Sequence, residues 1–227
     1  MRASSILLLA VFVGTAVTAQ ADVIDNFSCS NTDSLTGASG FHATFVSCPG
    51  SIGGEREDFI DVAGGSSTSV STMASNPPVG AISGTFGSGI TGIEGMNWGN
   101  PTILPDLNLV GNSILVQIQS DSGGSVTIDL LSGTSPSLLN SLAFTATFAG
   151  SPSYQDLLIP LINPTVIGTG ANLAEVTDIN MYIGLDTPGG TWSVDAVDAV
   201  PEPSAIWLIG ICLLGMVSRS FWRRPTS

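Results

Sequence analysis

His42 is the only histidine in this 227-residue chain, so a Ser-His-Asp or Cys-His arrangement would have to be built on that one imidazole. No G-x-S-x-G elbow accompanies it, and His42 is expected to be a surface or loop residue without a catalytic role. Carboxylates are the abundant reactive groups, 18 in all. Two of them at a set separation suffice for acid–base work on a glycosidic bond, but no motif selects a pair. Asp195 with Asp198, or Asp121 with Asp129, could hold Ca2+ with backbone carbonyls, but the D-x-D-x-D-G loop is absent. No cofactor is therefore expected, with Ca2+ the one ion such a loop would suit.

The aromatic residues offer a different chemistry, stacking against the flat apolar face of a ring. Trp98 lies in Gly95-Met96-Asn97-Trp98-Gly99-Asn100, a Gly/Asn-rich stretch that reads as a loop. Together with Tyr154 it is a candidate platform for a sugar; the competing reading is a loop tryptophan that plugs the end of the domain. Glu55, Arg56, Glu57 and Asp58 form the one dense charged cluster. Arg56 must sit among carboxylates there, and is expected to make a bidentate bridge fixing a loop to the domain. Gly87-Ser88-Gly89-Ile90-Thr91-Gly92 matches G-x-G-x-x-G in form. No helix-forming sequence follows it, so these glycines are assigned to turns.

All 18 acidic residues fall between Asp22 and Glu202, where Arg56 is the only cation, giving that stretch a formal charge of −17. Such a surface repels phosphate backbones, which argues against nucleic acid as a partner. Of the three cysteines, Cys212 sits in an apolar tail, leaving Cys29 and Cys48 as an even pair. In an oxidising compartment these two are expected to form a disulfide worth on the order of 3 kcal/mol.

The elements that must position these groups read as strands. Ile114, Val116 and Ile118 share one face, as do Val126, Ile128 and Leu130, and as do Leu142, Phe144, Ala146 and Phe148. Asp121-Ser122-Gly123-Gly124 between the first two runs predicts a hairpin. Further strands are predicted at Val23 to Phe27, Phe41 to Val46, Asp58 to Val62, Ser67 to Met73, Val176 to Leu185 and from Trp192 to about Val200. Eight or more short alternating strands predict an all-β fold, an antiparallel two-sheet sandwich of jelly-roll-like form, over residues 22–199.

The ends of the chain carry addresses. Arg2, an apolar stretch from Ile6 to Val13 and small residues to Ala19-Gln20-Ala21 predict a signal peptide over 1–21, cut by signal peptidase after Ala21. At the other end Val200-Pro201-Glu202-Pro203-Ser204 precedes an uncharged apolar stretch, Ala205 to Val217, and then Arg219, Arg223 and Arg224. That order predicts a transmembrane helix over about 205–222 with its arginines on the cytoplasmic side. Pro201 and Pro203 fix φ and remove donors, which is expected to keep this segment extended and outside any sheet.

Pro201-Glu202-Pro203, the apolar segment and the closing arginines together resemble the PEP-CTERM sorting signal. The resemblance covers residues 200–227. It implies export across a Gram-negative inner membrane, temporary anchoring there, and processing near Pro-Glu-Pro by an exosortase-type membrane protease. The mature protein would then sit on the cell surface or outside the cell. Ile52-Gly53-Gly54-Glu55-Arg56 with Asp58, and Glu175-Val176-Thr177-Asp178-Ile179, are similar to segments of sandwich domains that often precede this tail. Those domains in turn resemble carbohydrate-binding modules. The expectation is a non-enzymatic exported surface or extracellular-matrix protein that binds polysaccharide; the alternative is a surface-displayed glycan-active enzyme using paired carboxylates.

Overall fold

The computed structural model describes residues 21–37, 39–75, 80–99, 107–133 and 140–202. Fourteen strands run through them: β1 (Asp22–Asp25), β2 (Asn31–Thr36), β3 (Gly40–Ser47), β4 (Glu55–Gly64), β5 (Val70–Ser75), β6 (Ile82–Thr85), β7 (Thr91–Trp98), β8 (Asn112–Ser120), β9 (Gly124–Ser132), β10 (Ser141–Phe148), β11 (Ser151–Pro160), β12 (Thr165–Ile167), β13 (Val176–Leu185) and β14 (Thr191–Pro201). One 3-10 turn, Ile52–Gly54, is the only helical element among the described residues. Alternating apolar positions require one face of each strand to be buried, and two facing sheets supply that burial.

Both sheets are antiparallel and seven-stranded. The first runs β11-β8-β14-β6-β5-β2, with β1 added against β14, and the second runs β12-β10-β9-β13-β7-β4-β3. The chain changes sheet repeatedly, giving the all-β sandwich predicted from the alternation. Between the sheets Ile114, Val116, Ile118 and Val194 from one layer meet Ile60, Met96, Val126, Ile128, Met181 and Ile183 from the other, all fully buried. Cys29 and Cys48 form the expected disulfide, with Cα atoms 5.1 Å apart.

Three local expectations are corrected. The hairpin predicted around Asp121-Ser122-Gly123-Gly124 is a crossover, since β8 belongs to the first sheet and β9 to the second. Its groups bond to a neighbouring connection instead: Asp121 N–H donates to the Thr191 carbonyl, Thr191 N–H to the Asp121 carboxylate, and Asp186 N–H to the Gly123 carbonyl. Alternation looks the same whether two strands pair side by side or face each other across a core. Secondly, the stretch around Trp98 is no loop but β7, with Gly95 inside it. Thirdly, Pro201 does not stand outside the sheet. It ends β14 opposite Asn112, a position where a missing donor is tolerated.

Ala19, Pro203, the predicted membrane segment, Cys212, Arg219, Arg223 and Arg224 lie outside the described residues. Ala21 is exposed and immediately precedes β1. No helix among the described residues is long and apolar enough to cross a membrane.

Candidate functional site

The outer face of the second sheet carries the most organised set of side chains pointing away from the core, of which Phe59, Asp178, Asn180 and Asp129 are buried and Glu57, Asn97 and Tyr182 half-buried. Its ladder sets Ala43, Phe59, Gly95, Tyr182, Thr127 and Thr145 in one row across β3, β4, β7, β13, β9 and β10. Gly95 gives this row its shape. A Cβ there would lie 2.5 Å from the Phe59 ring and 2.2 Å from the Met181 carbonyl. Without one, the Phe59 and Tyr182 rings meet edge to face over the glycine, centroids 5.5 Å apart. Phe41 from the edge strand stacks on Phe59 at 6.1 Å and is itself 63% exposed. At the far end of the row the hydroxyls of Thr127 and Thr145 share a hydrogen bond of 2.9 Å.

The parallel row two residues along runs Phe45, Glu57, Asn97, Asn180, Asp129. After Phe45 it is acid, amide, amide, acid, at the inter-strand spacing of about 4.8 Å. Asn97 Nδ2 donates to Asn180 Oδ1 (2.7 Å) and to Asp178 Oδ1 (3.1 Å), and Asn180 Nδ2 donates to the same Asp178 oxygen (2.9 Å). Burial pushes Asp178 up to about 6; the amides of Asn97 and Asn180 pull the other way, while the charge of Glu57 adds to the rise. Burial also raises Glu57, helped by the charge of Asp58, and raises Asp129. Asp129 Oδ1 makes no hydrogen bond to a described residue although the side chain is 91% buried (9% exposed). The Tyr182 hydroxyl is likewise raised, by burial and then by Asp129 and Asp178, and stays a neutral donor.

This surface therefore presents apolar ring edges beside fixed hydrogen-bonding groups, and it carries acidic groups but no cation among the described residues. Such a combination suits a neutral polyhydroxylated ligand, whose C–H faces pack on rings while its hydroxyls meet amides and carboxylates. Sequence reading placed none of these residues on a binding face: it weighed Glu57 and Asp129 in another role, and quoted Gly95, Asn97 and Asp178 only within longer segments. The signal was available in the polar half of the β13 alternation, Asp178, Asn180 and Tyr182.

The residues singled out from sequence are scattered. Trp98 cannot serve as a platform: it points into the sandwich, is fully buried, and its indole N–H donates to Asp25 Oδ2 at 2.8 Å. Tyr154 is 42% exposed on β11, on the other sheet, with its hydroxyl 2.8 Å from Ser193 Oγ. Ser193 borders a shallow hollow of about 530 Å³ on that sheet, with Ser83, Gln119 and Ser151 among its other walls. His42 lies on edge strand β3, half exposed, its Nε2 2.7 Å from Asp33 Oδ1 of the opposite sheet. Asp121 is held by Thr191, and Asp195 and Asp198 lie along β14. Among the described residues no group of three or more His, Cys, Asp or Glu is placed to hold a metal.

Arg56 makes the expected bridge, inside the core rather than at a loop. Its Nε and Nη2 reach the two oxygens of Asp58 at 2.6 and 3.1 Å, and Nη1 reaches Asp25 at 2.9 Å. Asp25 also accepts from Phe27 N–H and Trp98, and Ser75 joins through Arg56 Nη2. Phe27 lies under the guanidinium at 5.1 Å. Burial pulls the Arg56 pKa down, but the hydrogen bond and charge of Asp58, then those of Asp25, leave it raised.

Another buried acid joins the two sheets elsewhere. Glu94 of β7 is fully buried and accepts from the Trp192 indole N–H of β14 at 2.7 Å. Its carboxyl occupies the space that a side chain on Gly84 would need, a Cβ there falling 2.0 Å from Glu94 Oε2. Burial pushes Glu94 up to about 8 against the opposing hydrogen bond from Trp192.

Comparison with curated proteins finds no match. Among solved structures, the family 11 carbohydrate-binding module of cellulosomal cellulase Lic26A-Cel5E of Clostridium thermocellum aligns at 14% identity and TM-score 0.44, over 81% of this chain and 96% of that one. The family 11 module of the same organism in complex with a β-1,3-1,4-mixed-linked tetrasaccharide aligns at 13% identity and TM-score 0.41, over 81% and 97%. A family 29 carbohydrate-binding module aligns at 12% and 0.38, over 81% and 89%. At its C-terminus the chain carries a PEP-CTERM protein-sorting motif, matched over residues 199–224.

Proposed function

We propose that this is an exported, non-enzymatic glycan-binding protein, sorted by an exosortase-type membrane protease and held in the inner membrane until its tail is removed. The cell surface or the surrounding polysaccharide matrix is its destination. The observation that carries the binding reading is the double row on the second sheet. Phe59 and Tyr182 lie beside Glu57, Asn97, Asn180 and Asp129, with one buried Asp129 oxygen lacking a partner among the described residues. The formal charge of −17 on this part of the chain favours neutral over anionic polysaccharides.

The test is affinity electrophoresis of the body, residues 22–202, through gels containing neutral or acidic polysaccharides, with Tyr182→Ala and Asn180→Ala as variants. Retardation by a neutral glycan that weakens tenfold or more in both variants is expected. Equal mobility of wild type and variants in every gel would overturn the assignment of this face. The enzymatic alternative has one observation in its favour, Asp178 and Asp129 on adjacent strands with raised pKa values. Asp178 is, however, committed to two amides. Release of reducing ends from a bound glycan, abolished by Asp129→Asn, would establish the enzyme.

A further inference from the structure

The sorting motif and the folded domain overlap. Ala199, Val200 and Pro201 are paired residues of β14, opposite Ile114, Ser113 and Asn112 of β8. Glu202 is then fixed twice. Its backbone N–H donates to the Gly111 carbonyl at 3.0 Å, and its carboxylate accepts from Ser113 Oγ at 3.0 Å. Ser113 is 1% exposed. The Gly111 carbonyl is offered by a tight turn, closed by Asn112 N–H to Leu109 O at 3.2 Å, with Gly111 at φ 74°. That is a backbone conformation glycine adopts without strain.

A protease that grips its substrate as an extended strand uses the substrate's own N–H and carbonyl groups. In Pro-Glu-Pro the prolines have no N–H to give, so the Glu202 N–H is the segment's one backbone donor. In the folded chain that donor is occupied by the domain, and so is the glutamate side chain. The distance is also short. From Glu202 to Ala205, where the predicted apolar segment begins, the chain spans at most about 11 Å.

We infer that the Leu109–Asn112 turn and Ser113 act as a mask on the sorting motif, so that the processing protease must draw Glu202 away from Gly111 and Ser113 before it can bind the segment. The inference rests on the sorting reading given above. The competent fraction of the precursor is the undocked one, and the apparent rate of processing scales with it. Removing one hydrogen bond to a charged acceptor is expected to raise the undocked fraction roughly tenfold, the equivalent of about 1.4 kcal/mol.

The experiment is a pulse-chase of the full-length precursor in its native host, reading tail loss by intact mass. Ser113→Ala is expected to lose its tail about tenfold faster than wild type, and Ser113→Thr, which keeps the hydroxyl, close to the wild-type rate. A Ser113→Ala precursor processed at the wild-type rate or more slowly would overturn the mask. Should Ser113→Ala not fold, as read by the Cys29–Cys48 disulfide, hydrogen exchange decides: the Glu202 amide of wild-type precursor is expected to be protected, and an unprotected amide would overturn the inference. A triple variant with alanine at Pro201, Glu202 and Pro203 separates the two readings. Processing of that variant at the wild-type rate removes the sorting reading itself. Its retention in the inner membrane alongside an unaltered Ser113→Ala removes only the mask.

Discussion

Among the polar links between the sheets, the two that are fully buried in the described residues are built on opposite principles. Around Arg56, a guanidinium is matched by two carboxylates, a serine hydroxyl and an aromatic face, and Asp25 in turn satisfies Trp98 and the Phe27 amide. Around Glu94, a carboxyl with no cation among its hydrogen-bond or ion-pair partners accepts one indole N–H, and its other oxygen has no partner among the described residues. A buried charge is retained when partners replace the water it lost, and otherwise it neutralises. The first link therefore keeps its guanidinium charged, and the second is an acid that holds its proton to about pH 8.

The largest way to break this contrast is Arg56→Met, which strands Asp25 and Asp58 without a cation. It is expected to cost about 3–5 kcal/mol in urea unfolding, since one partner of a buried pair has been removed. A loss under about 1 kcal/mol would show that the two acids simply protonate. Next comes the neighbouring covalent link. Cys29→Ala with Cys48→Ala is expected to cost about 3 kcal/mol, measured the same way, because the closed loop spans a separation of 19 residues.

The sharpest probe of the second link is pH. A folded-state pKa raised above the unfolded 4.5 means that the native state binds the extra proton. Glu94's contribution is thus fully present below about pH 4.5 and is lost as pH rises through about 8. Glu94→Gln should abolish that slope. It is expected to stabilise the domain at pH 9 by about 2 kcal/mol and to change little at pH 5, read as thermal midpoints at the two values. An unchanged slope in the variant would assign the pH dependence to the raised acids of the outer face, Asp178 foremost.

Strands with an uninterrupted apolar face, such as Val126, Ile128 and Leu130, were legible from alternation because burial imposes a period of two. Several of the others were hidden for physical reasons. β2 is polar and lies at a sheet edge, β6 is only four residues long, and β7 is interrupted by Gly92 and Gly95. Both glycines of β7 are places where another group needs the room: a Cβ on Gly92 would fall 2.3 Å from the Asp61 carbonyl. The Arg56 bridge was readable because the only cation among so many acids must find partners. The outer face was not, because its rows are assembled from six separate strands and depend on registers that no local pattern specifies. Trp98 misled for a related reason, since glycine and asparagine neighbours usually mark loops.

The position of β14 has a consequence in time. It is the last strand described, yet it sits inside the first sheet, bonded to β8 along one side and to β6 and then β1 along the other, with Asp22 opposite Ala199. A chain made from its N-terminus onward can form the β3–β4 or β9–β10 pairs early, but β1 waits for β14, which begins 169 residues after it (Asp22 to Thr191), and β8 and β6 wait for it along their second edge. Closing so long a loop is slow and rewarded only at the end. The first sheet is therefore a keystone arch, and laying its stone also draws the start of the sorting address against β8.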